Sequence, residues 1–119
     1  MITDELVSFE TAKLAKEKGF DVPTDFCYEK SGNLVRVGSI SAPTQSLLQR
    51  WLREGKNLYI SIIAHAKSKS VYYEWEVRYI SALGNMNKAS SVMTIETYRY
   101  NTYELALEDA LKYALENLV

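Results

Sequence analysis

Apolar and polar residues alternate most regularly between residues 71 and 79. Val71, Tyr73, Trp75, Val77 and Tyr79 interleave with Tyr72, Glu74, Glu76 and Arg78. A period of two, apolar on one side and charged on the other, predicts an antiparallel strand with one face on a core and one in water. The stretch before it repeats the pattern, Leu58, Ile60, Ile62 and Ala64 alternating with Tyr59, Ser61, Ile63 and His65. Residues 67–70 form a polar turn between the two. A third strand is expected from Val92 to Tyr100, after a loop at 84–88. Hairpin-length links make the three an antiparallel meander.

Three segments carry helical spacing instead. Residues 9–18 are good helix formers, with Ser8 as N-cap and Glu10 facing the positive helix end. Gly19 and Phe20 then complete a Schellman stop. Residues 42–55 hold the clearest stripe: Leu47, Leu48, Trp51 and Leu52 share one face, with Pro43 suited to the first turn and Gly55 ending the helix. After Asn101 and Thr102, the residues Leu107, Ala110, Leu111, Ala114, Leu115 and Leu118 make a third stripe, with Glu104 in the first turn.

The remaining signals are shorter. Residues 5–7 read as a short strand. Phe26, Cys27 and Tyr28 read as another, returning through Leu34–Val37 after the turn chemistry of Ser31, Gly32 and Asn33. The expected fold is α+β, one domain over 1–119. An antiparallel sheet, the meander plus an N-terminal hairpin, has two or three helices covering one face. The stripes of the second and third helices are the natural covers.

Composition narrows the function classes. The 119 residues are 47% hydrophobic and 24% charged, ordinary for a globular domain that needs no staple. Fourteen basic residues face fifteen acidic ones, so no net field attracts a polyanion. Cys27 is the lone cysteine, which excludes an internal disulfide and paired-thiol zinc sites. No basic-apolar leader opens the chain and no apolar run is long enough to span a bilayer, so the cytoplasm is the expected location and no membrane partner is expected.

Catalytic chemistry has little to stand on. The five glycines are scattered at turns and helix ends and form no phosphate loop. His65 is the lone histidine and would have to serve any nucleophile. Glu74 and Glu76 share the polar side of their strand, and Glu96 and His65 are expected on the strands beside them. That set could hold a divalent cation or do acid–base work. Solvated glutamates neutralised by Arg78, and a surface histidine at a strand end, are the simpler account. No catalytic residue, metal ligand or cofactor is assigned.

The nine tyrosines are the suggestive excess. Tyr59, Tyr72, Tyr98 and Tyr100 are expected on the polar sheet face, while Tyr73, Trp75 and Tyr79 point inward. Aromatics on an open sheet can stack bases, with Lys67, Lys69 and Lys88 meeting phosphate. Glu74, Glu76 and Glu96 on the same face oppose that. Exposed tyrosines also suit protein contacts, and tyrosine favours strands without any function. Arg50 and Arg53 outward on the second helix admit a recognition helix, but core packing accounts for its stripe equally well.

The segment Pro43–Glu54 (PTQSLLQRWLRE), with 7–20 before it and Tyr103–Leu107 after, resembles a family of small uncharacterised proteins of gut anaerobic bacteria and their phages. Residues 65–92 carry none of this likeness. The resemblance implies a phage-borne accessory setting and transfers no catalytic motif. The expected function is a non-catalytic module binding a protein partner or a second copy through Tyr59, Tyr72, Tyr98 and Tyr100. A single-stranded nucleic-acid-binding protein and a small enzyme using Glu74, Glu76, Glu96 and His65 are the alternatives.

Overall fold

A computed structural model describes residues 4–80, 90–94 and 99–119, the segment 90–94 by its backbone. The expected loop at 84–88, Glu96 and Tyr98 lie outside the described residues. The order is α1 (Phe9–Glu17), β1 (Cys27–Tyr28), β2 (Leu34–Val35), β3 (Ile40–Ser41), α2 (Gln45–Lys56), β4 (Leu58–Lys67), β5 (Ser70–Ile80), β6 (Ser90–Thr94) and α3 (Tyr103–Asn117). The fold is α+β.

Two antiparallel sheets form. In the larger, β5 lies between β4 and β6, the expected meander. Leu58 pairs with Tyr79 and the register runs unbroken to Lys67 opposite Ser70. The smaller sheet has the order β2-β1-β3. The expected hairpin is its first two strands, and β3 adds a strand that two residues of Ile-Ser could not announce. Residues 5–7 form an isolated bridge, Leu6 with Thr44, instead of a strand.

The helix ends follow local chemistry. Ser8 Oγ accepts from the Thr11 amide, and the Phe20 amide donates to Ala15 O across a positive-φ Gly19, the stop expected at α1. At α2 the boundaries shift by a few residues. Thr44 is the N-cap, accepting from the Leu47 amide, so Pro43 precedes the cap. Gly55 stays helical and Asn57 takes the left-handed C-cap conformation at φ 61°. Thr102 caps α3 by accepting from the Leu105 amide.

The three stripes meet in one core. Leu48 and Leu52 of α2, and Ala106, Leu107, Ala110, Leu111, Ala114 and Leu115 of α3, pack on Leu58, Ile60, Trp75 and Val77 of the sheet. Helices α2 and α3 lie against the β4–β5 sheet, whereas α1 packs on α3 and β3. Trp51 is only half-buried, edge-on to Phe20 at 5.4 Å with the Lys56 ammonium over its ring. Trp75, 1% exposed, is the large aromatic at the centre.

Candidate functional site

The face of the large sheet turned away from the helices is the candidate surface. Strand register puts Tyr59, Ser61, Ile63, His65 and Lys67 of β4 beside Arg78, Glu76, Glu74, Tyr72 and Ser70 of β5. Alternation then sends Leu58, Ile60, Ile62, Trp75 and Val77 into the core, so the outer row is what remains.

The charges on this row are largely paired with each other. Glu74 Oε1 lies 2.6 Å from His65 Nε2. The carboxylate sits off the N–H direction, so this is a close polar contact and not an aligned hydrogen bond. Arg78 Nε donates to Glu76 Oε1 at 3.2 Å. The His65 imidazole stacks on the Tyr72 ring at 5.0 Å, and the Arg99 guanidinium lies over the same ring at 4.6 Å. His65 reaches Tyr72 from β4, and Arg99 comes from the opposite side of β5, beside the Tyr73–Tyr100 bridge.

The four tyrosines singled out in the sequence therefore separate. Tyr59 and Tyr72 share the outer face, and Tyr98 lies outside the described residues. Tyr100 is a correction. Continuing the Glu76–Thr94 register would set it opposite Ser70, on the outer face, but it bridges Tyr73 instead. That odd offset turns its side chain to the core side, where its hydroxyl donates to Asp109. Tyr73, expected inward, lies there too, edge-on to Tyr103 at 6.3 Å.

Of the acid–base set, the structure joins Glu74 to His65 and turns Glu76 to Arg78, while Glu96 lies outside the described residues. Among the described residues no group of three or more His, Cys, Asp or Glu side chains converges as a metal would require.

A second polar centre escaped the sequence reading. It lines a groove of about 770 Å³ bounded by Ser8, Thr11, Tyr100, Glu108, Asp109 and Lys112. Glu108 accepts from the Ser8 amide at 3.0 Å, the Thr11 hydroxyl at 2.5 Å and Gln45 Nε2 at 3.1 Å. Among the described residues Thr11 and Gln45 are the buried polar ones, and this carboxylate is what makes their burial tolerable. Asp109 accepts from Tyr100 and, at 3.3 Å, from Trp75 Nε1. Burial first, and the Glu108 charge second, hold the nearby Tyr28 hydroxyl above the usual tyrosine pKa. The one sequence signal was an acidic pair inserted beside the apolar stripe of α3. Every oxygen contact described here ties elements together, and the groove reads as a structural seam.

No protein-family model, curated protein or solved structure matches the chain. No helix among the described residues is long and apolar enough to cross a membrane.

Proposed function

We propose that this chain is a non-catalytic binding module for a protein partner, using the outer face of β4 and β5. The observation that carries the reading is the pairing of charges on an uncovered aromatic face. Glu76 is paired with Arg78 and Glu74 is in contact with His65, leaving Tyr59, Tyr72, Ile63 and Ile80 among polar neighbours that are already engaged. Ile63 and Ile80 are both exposed. A low-charge surface of aromatic and apolar groups with a polar rim matches a folded protein that offers an apolar patch of its own. A nucleic-acid backbone requires unpaired cations, and both sides of the Tyr72 ring already have a neighbour. The unpaired Cys27 fits a reducing compartment such as the cytoplasm.

The test is capture of partners from the source cells, followed by reconstitution with the purified partner. Ile80→Asp and Tyr72→Ala should each weaken the reconstituted complex by about tenfold or more, with an unchanged fold by circular dichroism. A complex indifferent to both substitutions overturns the reading. So does salt-sensitive binding of single-stranded DNA or RNA at low ionic strength, which would move the function to the nucleic-acid alternative.

A further inference from the structure

Strand β4 is an edge strand ten residues long. Its hydrogen-bond parity follows from one contact: the Ile80 amide donates to Asn57 O at 3.0 Å. In an antiparallel ladder, alternate residues then turn their amide and carbonyl to the partner. Tyr59, Ser61, Ile63, His65 and Lys67 face β5, and Leu58, Ile60, Ile62, Ala64 and Ala66 present theirs outward. The Tyr73 amide agrees, since Tyr73 sits opposite Ala64 and bonds to Tyr100 on its other side.

One outward group is already engaged: Gln49 Nε2 of α2 donates to Ile60 O at 3.1 Å. Among the described residues, no hydrogen bond covers the outward groups of Ile62, Ala64 and Ala66. Edge strands are usually blunted by proline, a bulge or an inward-pointing charge. β4 has no proline, its register with β5 is unbroken, and its core-side residues are all apolar. Beyond the helices, Ala64 and Ala66 are exposed on the core side, and Val71 of β5 is 54% exposed.

We propose that two copies of this chain pair antiparallel through β4, making one continuous six-stranded sheet across a twofold axis at Ala64. The open groups are symmetric about Ala64. Pairing Ala64 with its twin, and Ile62 with Ala66 in both directions, uses the amide and carbonyl of all three residues and leaves the Gln49–Ile60 contact in place. Those three pairs exchange about six backbone hydrogen bonds. On the core side, alanines and isoleucines meet. On the outer side, Lys67 of one copy comes opposite Ser61 of the other, whose neighbour across the sheet is Glu76. His65 likewise comes opposite Ile63, beside Glu74. Neither crossing opposes like charges, since Lys67 meets a serine and His65 an isoleucine. A second copy fits this edge better than a generic extended peptide because the open groups of Ile62, Ala64 and Ala66 pair with themselves in a single register that opposes no like charges and places only alanine at the axis. The pairing uses the backbone edge and stands or falls independently of the outer-face reading.

Light scattering after size exclusion should give about twice the 13.6 kDa chain mass. Ala64 is exposed and its backbone groups lie outside the β4–β5 ladder, so Ala64→Lys and Ala64→Glu leave the fold intact, as circular dichroism would verify. Each variant alone sets like charges across the axis and should halve the mass. Mixing the two in equal amounts should restore the doubled mass. A wild-type chain that is monomeric up to millimolar concentration overturns the proposal. So does a dimer that survives both substitutions, or a mixture that stays monomeric.

Discussion

The indole N–H of Trp75 donates to Asp109 Oδ2 across 3.3 Å, joining the centre of the sheet to α3. The same carboxylate accepts from the Tyr100 hydroxyl. One acidic residue thereby satisfies the buried indole of β5 and the hydroxyl of the segment that bridges to it.

Removing that acceptor should be costly. Asp109→Ala leaves a fully buried indole N–H without a partner, at about 1–3 kcal/mol, more where the lost partner is charged. Asp109→Asn keeps an oxygen in place and should lose less. Chemical denaturation of the two variants compares them, and equal losses would show that charge matters more than the acceptor itself.

Stability should fall at high pH because of Tyr28. Its hydroxyl donates to Val7 O at 2.8 Å, and its pKa is raised by burial and then by Glu108. The unfolded chain therefore releases this proton first as pH rises. The Tyr28 contribution is complete below the ordinary tyrosine value of about 10. It is lost as pH climbs from there through the raised folded value. Difference absorbance titration of wild type against Tyr28→Phe should isolate a late-titrating tyrosine. Glu108→Gln should move it back toward the ordinary value; an unmoved titration would remove Glu108 as a cause.

The two tryptophans should respond unequally to truncation. Trp75 is sealed in the core, so Trp75→Ala should cost about 3–5 kcal/mol. Trp51 has one side on Phe20 and the other under Lys56, so Trp51→Ala should cost clearly less, roughly 1–2 kcal/mol by the area it buries. Urea midpoints of the pair check the order, and a larger loss at Trp51 would contradict this packing.

Asn57 holds the turn between α2 and β4 in the left-handed region, and its carbonyl accepts from Ile80. Asn57→Ala should cost about 1 kcal/mol, because a Cβ without a compensating amide disfavours that conformation. Asn57→Gly should stay within about 0.5 kcal/mol of wild type. Thermal melts of both variants would show it.

Local periodicity was enough to determine the meander of β4 and β5, the three helices, the Gly19–Phe20 stop and the α+β class. Each is written in residues within a turn or a strand of one another: Trp75 and Val77 two apart, Leu48 and Leu52 four apart. The N-caps Ser8 and Thr102 were legible for the same reason, since a cap bonds three residues on. Relations between distant residues were decided by the tertiary structure alone. Thr11 and Glu108 are 97 residues apart, and nothing near either one announces the other. The face that Tyr100 takes depends on how its segment registers against Tyr73, and an odd offset reverses it whatever the local alternation implies. Trp51 carries the right spacing for a core residue, yet its burial depends on how much of α2 the sheet reaches. The open half of β4 has the same origin. A strand's pattern tells which side chains face inward, but only the assembled sheet decides which backbone edge is left without a neighbour.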